Sequence, residues 1–491
     1  MFSKILDIFK SKSIKVNYLL NLTRVLSGAL IAIITMPYIN KSLGPEVLGK
    51  VEYVNVLINY FVLFSALGIP MYGIREISKV RDQPVLLART TLELLGILLA
   101  TTVVSYIVLF GIVYNLDYFS SYRDLILLMS IMIFLTNIGA EWFFQGLEEQ
   151  LYITVRYVAV RLVSVFLILF YISSPNDYLL YALCLVITAC GANLLNIYYL
   201  YRKSVRVEFD LKKLNFKRHL KPVLTIFLAT VSVNIYLQLD YFLLGSLVGD
   251  TYVGYYAVAN KLIRFVIGFI TVIGSVMLPR LSLLYDTDRV LYQRYLEKSF
   301  SFLILLSIPC SLYFFAFAEP LIMNFGGGEY TPSILTMKIL SPLCIIVSLA
   351  YFMGFLILYP MGKEKIYTWA VVFSALFSLV VNFFAIKEYK QDGAAVIAVL
   401  SELFAIIYMY VIIRKFELVP HFLSRNMLLY FVAGAVMLVV AILLQSEGSM
   451  TMVKLGIFSG LSFGMYFLVL LLLKEKFVQE IFLKVKHYII K

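Results

Sequence analysis

Charged residues are scarce in this sequence. Only 14% of its 491 residues are Asp, Glu, Lys or Arg, whereas 62% are hydrophobic and the mean hydropathy is +0.90. One soluble core cannot bury that much apolar surface. The scarcity of charge therefore excludes an ordinary soluble domain and indicates an integral membrane protein.

Residues that serve enzymes and metal sites are also few. The histidines His219, His421 and His487 are scattered, and the G-x-x-x-x-G-K-[ST] phosphate-binding motif is missing. The sequence therefore predicts no metal site, no cofactor, no ATP hydrolysis and no enzyme. Four cysteines fall inside apolar runs, which indicates buried hydrophobes rather than disulfides: Cys184, Cys190, Cys310 and Cys344.

Long apolar runs are what the sequence has in abundance. Fourteen runs are about 20 residues long, the length that spans a bilayer, and their continuous apolarity predicts helices rather than barrel strands. Their approximate extents are 16–38, 47–69, 90–114, 124–145, 152–172, 178–200, 222–248, 253–279, 300–323, 333–359, 366–386, 393–413, 426–445 and 452–473.

The distribution of basic residues predicts the orientation of these spans. With a cytoplasmic N-terminus, 31 Lys and Arg fall in inner segments and six in outer segments, as the positive-inside rule requires. Both termini are therefore predicted to be cytoplasmic. The net charge of +13 is explained by orientation and contact with anionic membrane lipids, so no nucleic-acid partner is expected.

One turn occurs twice in the chain. The sequence SLGPEVLGKVEYVNVLI at 42–58 is followed by SLVGDTYVGYYAVANKLI at 246–263. Both copies lead from an outer loop into a span, the second and the eighth, so the repeat unit is six helices in parallel orientation. The aligned residues share an offset of 205: Gly44, Gly49 and Asn55 with Gly249, Gly254 and Asn260.

The predicted fold is an all-α integral membrane protein with about 14 transmembrane helices, arranged as two parallel six-helix lobes plus two C-terminal helices. The natural place for a site is the cleft between the lobes. The predicted parts are an interfacial amphipathic helix at 1–15, an N-terminal lobe at 16–200, a basic cytoplasmic linker at 201–221, a C-terminal lobe at 222–413, two extra helices at 426–473 and a basic cytoplasmic tail at 474–491.

Five of the 42 basic residues are counted with neither side and lie in the interior of the predicted spans, where each charge costs roughly 2.5–3.5 kcal/mol and should face a partner or a wet cavity. They are Arg24, Arg161, Lys261, Arg264 and Lys338. Amides share helical faces with several of these cations or with one another, which suits a polar ligand. These faces hold Asn17 and Asn21 before Arg24, Glu52 before Asn55 and Asn59, Asn234 and Gln238 before Tyr241, and Asn260 before Arg264.

Structural interpretations compete with binding roles for several charges. Lys338 lies near the outer end of its span, where it is expected to snorkel to the interface. The other open alternatives are an ion pair of Arg161 with Glu141, an ion pair of Lys261 with Asp240, and either a proton site or a packing contact for Glu402.

Two stretches resemble a known family. LGPEVLGKVEYVNVLINYFVLFSALGIPMYGIREISKVRD at 43–82 is similar to the N-terminal signature of bacterial polysaccharide repeat-unit exporters, the O-antigen (Wzx-type) flippases. FGGGEYTPSILTMKILSP at 325–342 resembles the segment before their tenth helix. The family belongs to the multidrug/oligosaccharidyl-lipid/polysaccharide exporter superfamily.

The resemblance implies a flippase that moves an oligosaccharide on an undecaprenyl diphosphate carrier from the inner to the outer leaflet of the bacterial cytoplasmic membrane. Polysaccharide polymerase machinery is then a conceivable partner. Cations suit the diphosphate and amides the sugar, so the expected substrate-binding residues are Arg24, Arg161, Lys261, Arg264, Asn21, Asn55, Asn59 and Asn260. Asp240 is the candidate to bind a coupling H⁺ or Na⁺.

Two other function classes stay open. A multidrug/cation antiporter of the same superfamily would need an acidic cavity for lipophilic cations, whereas the predicted cavity is basic. A non-transport membrane scaffold or receptor is the third class. A membrane-embedded sugar polymerase or ligase is disfavoured, because such an enzyme needs a sizeable outer loop and the longest predicted here is about ten residues.

Overall fold

The structure is a computed structural model that describes residues 14–200, 213–415, 425–445 and 450–489. Its regular elements are helices, and no strand occurs in these residues. Eleven helical stretches of the described chain are long and apolar enough to cross a membrane. The all-helical membrane fold is thus confirmed, while the count of fourteen spans stays a prediction.

Contacts within the chain define two compact units, residues 1–242 and 243–491. In the first unit α1 packs against α3, α4 and α6. The helices in chain order are α1 (Ile14–Ala66), α2 (Ile69–Val80), α3 (Pro84–Gly111), α4 (Arg123–Ile138), α5 (Glu141–Gly146), α6 (Gln150–Tyr171), α7 (Tyr178–Val186), α8 (Asn193–Leu200) and α9 (Lys217–Leu247), which crosses the boundary.

The second unit has an apolar core formed by its first two long helices, Asp250–Thr287 and Arg289–Ala316, together with later helices. Its fully or almost fully buried rings include Tyr292, Phe352, Tyr430 and Tyr466. The helices are α10 (Asp250–Thr287), α11 (Arg289–Ala316), α12 (Ala318–Phe325), α13 (Ser333–Leu340), α14 (Leu343–Tyr351), α15 (Glu364–Arg414), α16 (Arg425–Gln445), α17 (Met452–Leu472) and α18 (Lys476–Ile489).

The repeated turn has the same backbone geometry in both copies. Gly44 interrupts α1 with φ 72° and ψ 170°, and Gly249 precedes α10 with φ 105° and ψ 172°. A positive φ combined with an extended ψ is readily adopted only by glycine. The shared sequence therefore encodes a shared turn, while the assignment of two six-helix lobes stays a prediction.

The contact-defined boundary lies further along the chain than the predicted linker at 201–221. The start of α9 belongs to the first unit, because His219 is buried there against Tyr72 and Glu93. The first unit therefore extends beyond the predicted linker. The predicted interfacial helix at 1–15 lies almost wholly outside the described residues. In the predicted tail, α18 forms as a helix, and Lys298 of α11 donates to the Glu480 carboxylate at 2.9 Å.

Candidate substrate site

Arg24 of α1 lies beside a carboxylate that is distant in sequence. Its Nη1 donates to Oε1 of Glu141 at 2.6 Å, and its Nη2 donates to Oδ1 of Asn21 at 3.1 Å. Glu141 begins α5 directly after Ala140, whose left-handed backbone (φ 41°, ψ 49°) ends the preceding helical segment. This break in the chain places the carboxylate against α1.

A second arginine approaches the same carboxylate from α6. Nη2 of Arg156 lies 3.6 Å from Oε2 of Glu141, and only 4% of Arg156 is exposed. Its Nη1 donates to the Ala192 carbonyl at 3.3 Å, and its guanidinium lies over the Tyr152 ring. Among the described residues Nε of Arg156 has no hydrogen-bond partner, so donor capacity remains on a buried guanidinium.

Arg161 joins this group through an aromatic ring. Its guanidinium lies 4.1 Å from the Tyr157 ring centroid, and the Arg24 guanidinium lies 5.6 Å from the same centroid. The guanidinium occupies the space that a side chain at Gly28 would fill. No carboxylate in the described part of the chain lies within 4 Å of Arg161, so Glu141 pairs with Arg24 and Arg156 instead.

We call Arg24, Arg156, Arg161, Glu141 and Tyr157 the arginine cluster. The cluster holds three guanidinium groups and one carboxylate, so it carries excess positive charge. Guanidinium forks bind phosphate and carboxylate oxygens in pairs, and a low-dielectric setting strengthens each such bond. The cluster is therefore suited to an anion that carries several oxygens.

Side-chain amides border the arginine cluster. Nε2 of Gln145 donates to Oε1 of Glu141 at 3.0 Å, and Nε2 of Gln150 lies 3.5 Å from Oδ1 of Asn21. Amides offer donors and acceptors together, which suits hydroxyl-rich ligands. The structure thus brings amides to the same place as the cations, as the sequence predicted for Asn21 and Arg24.

Asn55 and Asn59 lie together on the second half of α1. Nδ2 of Asn59 is 3.4 Å from Oδ1 of Asn55. Glu52 on the same helix is buried, with the Tyr181 hydroxyl 3.4 Å from its Oε1. The binding roles of Asn55 and Asn59, and the coupling role of Asp240 on α9, stay predictions.

The second unit holds the other predicted cations. Nη1 of Arg264 on α10 lies 3.9 Å from Oε1 of Glu402 on α15, and both side chains are largely shielded from solvent. Asn260, one turn earlier, is 6% exposed, whereas Lys261 is exposed. Glu402 is therefore a charge partner of Arg264, and the choice between a proton site and a packing contact stays open. The alternative pair of Lys261 with Asp240 stays a prediction.

Sequence reasoning missed two members of the arginine cluster, Arg156 and Tyr157. The charge count assigned Arg156 to an inner segment, because it lies near the start of the predicted span at 152–172. The helix α6 instead begins at Gln150, and Arg156 is buried in its second turn. The available signal was the occurrence of two arginines, Arg156 and Arg161, within one apolar run.

The fold of this chain is similar to the folds of solved membrane transport proteins. It resembles a solved structure titled "Lipid II flippase MurJ, inward closed conformation", with a TM-score of 0.66, 14% identity and coverage of 91% of this chain and 98% of that one. An inward-facing multidrug resistance MATE family transporter of the MOP superfamily gives a TM-score of 0.63 at 14% identity, covering 81% and 98%. At such identities the likeness concerns the fold.

The chain belongs to the family described as "Polysaccharide biosynthesis protein", whose model matches residues 14–284. Two relatives carry the name "Putative O-antigen transporter". The one from Escherichia coli (strain K12) is 21% identical over 392 residues, covering 80% of this chain and 94% of its own. The one from Shigella dysenteriae is 23% identical over 379 residues, covering 77% and 94%.

Proposed function

We propose that this protein is a flippase that moves an oligosaccharide linked to undecaprenyl diphosphate from the inner to the outer leaflet of the bacterial cytoplasmic membrane, by alternating access. The family and the names of its relatives support transport of polysaccharide precursors rather than catalysis. In this proposal both termini are cytoplasmic.

The arginine cluster is the observation that carries this proposal. A charge within a transmembrane helix costs roughly 2.5–3.5 kcal/mol on insertion scales, so three arginines near one carboxylate need a compensating role. Arg156 and Arg161 each retain a buried Nε without a hydrogen-bond partner in the described chain. A diphosphate supplies negative charge and several acceptor oxygens, and so compensates both the charge and the open donors.

Alanine variants of the two predicted diphosphate ligands test the proposal. Arg24→Ala and Arg264→Ala should each abolish surface polysaccharide in a strain that lacks its own copy, with membrane abundance near normal. Lysine should restore little function, because an ammonium lacks the planar fork. Arg75→Ala is the matched control, since the Arg75 side chain is 55% exposed. Full export by both alanine variants would contradict the site assignment.

The same strains separate the flippase from a multidrug antiporter. A lipophilic cation is attracted by carboxylates, and in the arginine cluster guanidinium groups outnumber them. We therefore expect deletion of the gene to leave resistance to lipophilic cations unchanged while surface polysaccharide is lost. Lost resistance with normal polysaccharide would favour the antiporter.

A further inference from the structure

A pocket in the second unit is lined by residues other than those assigned to diphosphate. Its volume is about 410 Å³, within the range of ligand sites in proteins. We call it the Lys338 pocket, and its lining includes Thr331, Leu335, Lys338, Gln391 and Asp392. These residues come from the loop before α13, from α13 itself and from the middle of α15.

The backbone of α15 is interrupted where it enters the pocket. Lys390 has φ 53° and ψ −131°, a conformation that non-glycine residues rarely adopt. Strain of this kind persists only when the surrounding structure enforces it, and it concentrates at functional sites. Here the Lys390 ammonium lies 4.8 Å from the Tyr252 ring centroid. The interruption directs Gln391 and Asp392 to the start of α13.

The pocket lining contains two side chains with acceptor oxygens, Asp392 and Gln391. The Thr336 hydroxyl donates to Oδ1 of Asp392 at 2.6 Å and so fixes that carboxylate. Gln391 is only 6% exposed, yet its Oε1 has no hydrogen-bond partner within the described chain. A buried acceptor without a partner is unfavourable, and a donor from a ligand or from a bound water removes that cost.

The polar groups that line the pocket indicate which class of ligand can bind there. The Lys338 ammonium donates, Asp392 and Oε1 of Gln391 accept, and one positive charge is matched by one negative charge. Leu335, which is 55% exposed, provides an aliphatic wall. An uncharged ring with several hydroxyl groups fits this set, because each hydroxyl both donates and accepts while the C–H face contacts leucine.

We propose that the Lys338 pocket binds a sugar residue of the oligosaccharide cargo at the outer face of the membrane. This inference rests on the proposed function and on the predicted orientation, which places the loop before α13 outside. Lys338 is then a sugar ligand rather than only a snorkelling residue. A lipid phosphate fits less well, since phosphate sites use several cations or a row of backbone N–H groups and this pocket has one ammonium.

Binding of free oligosaccharide tests the proposal. The probe is the water-soluble repeat unit released by mild acid from the lipid-linked oligosaccharide of the producing strain. Saturation-transfer NMR with the full chain in nanodiscs should detect binding to the wild type. Lys338→Met and Gln391→Met should each weaken it about tenfold, since each loses a hydrogen bond from a shielded site. Asp392→Asn should weaken it as well.

Lys387→Met is the control, because the Lys387 ammonium lies over the Phe383 ring and outside the pocket. It should bind the oligosaccharide as the wild type does. Thermal unfolding of each variant must match the wild type, and Asp392→Asn supplies a near-isosteric change if a methionine variant unfolds.

The outcomes separate this proposal from the proposed function. Wild-type affinity in all three pocket variants, with normal flipping by the wild type, would overturn the sugar pocket and leave the flippase standing. Loss of co-purifying phosphatidylethanolamine in the variants without any loss of oligosaccharide binding would overturn it in favour of a lipid headgroup. A wild type that flips no lipid-linked oligosaccharide in proteoliposomes would overturn the function itself.

Discussion

Glu93 on α3 shows what a buried charge in this protein requires. Its side chain is fully buried, and its carboxylate accepts hydrogen bonds from four residues. The donors are Nε of Arg89 at 2.9 Å, Nε of Arg218 at 2.9 Å, the ring Nε2 of His219 at 2.8 Å and the backbone N–H of Asn215 at 2.7 Å. This network joins the start of α9 to α3, so it is structural.

We expect Glu93→Gln to destabilise the protein. Removing one partner of a fully buried ion pair costs about 3–5 kcal/mol, and the cost is smaller here because the Arg89 and Arg218 side chains are 26% and 40% exposed. Thermal unfolding in detergent should therefore begin at a clearly lower temperature. Glu76→Gln is the control, since Glu76 pairs with the exposed Lys79 and such pairs contribute about 1 kcal/mol or less. Equal unfolding temperatures for the two variants would contradict this role for Glu93.

Gly28 on α1 makes room for Arg161. A Cβ at this position would collide with the Arg161 guanidinium, while a Cβ at Gly111 would meet no atom within 4 Å. We therefore expect Gly28→Ala to displace the guanidinium and lower export severalfold at near-normal membrane abundance. Gly111→Ala should export as the wild type does. If Gly28→Ala also leaves export unchanged, Arg161 is not needed where the structure places it.

At the scale of elements, interruptions of helices position the polar residues. Ala140 separates α4 from α5 and brings Glu141 to the arginine cluster, and Lys390 interrupts α15 before Asp392. Two π-helical segments, Ile187–Gly191 and Phe352–Leu358, distort other helices. Such segments occur frequently at functional sites. These interruptions allow a bundle of apolar helices to hold polar groups.

The orientation of the helices is tested by cysteine labelling. In a cysteine-free background, a cysteine at Ser204 should label only after the inner face is exposed, because basic segments remain inside. A cysteine at Thr251, beside the repeated turn, should label from outside intact cells. The four native cysteines, which are replaced first, are unpaired and largely buried. Outside labelling at both positions would refute the fourteen-span prediction.

For the molecule as a whole, the sign of the cargo charge predicts the energy source. A diphosphate with about two negative charges moves away from the negative side, so a potential of ~100 mV favours the step by about 4.6 kcal/mol if the full field is crossed. The return of a cationic cavity is favoured by the same potential. We therefore expect an inside-negative potential alone to accelerate outward flipping in proteoliposomes.

Asp240 provides the comparison with ion-coupled antiport. If potential is the driving force, Asp240→Asn should retain most of the response, because the carboxylate is not needed to carry an ion. Potential and ion gradients are imposed separately in the same proteoliposomes. Insensitivity to potential, together with an ion-gradient dependence that Asp240→Asn abolishes, would establish antiport instead.

The sequence by itself determined the membrane class, the helical fold and the shared turn. Apolar runs of spanning length leave only helices as a solution in lipid, because each backbone polar group must be bonded within the segment. The repeated turn could be recognised from Gly44 and Gly249, because glycine readily adopts the positive φ that the turn requires. This preference is a local property of the residue. Patterns of this kind need no knowledge of distant contacts.

Only the tertiary structure decided which charges meet. Arg24 and Glu141 are 117 positions apart, and Thr336 and Asp392 are 56 apart, so no local spacing reveals either contact. Sequence reasoning left a pair of Arg161 with Glu141 open as an alternative to a binding role, and packing selected Arg24 and Arg156 as the partners of Glu141 instead. The physical reason is that a desolvated charge takes the partner that helix packing brings within reach, and that packing is set by apolar contacts along the entire bundle.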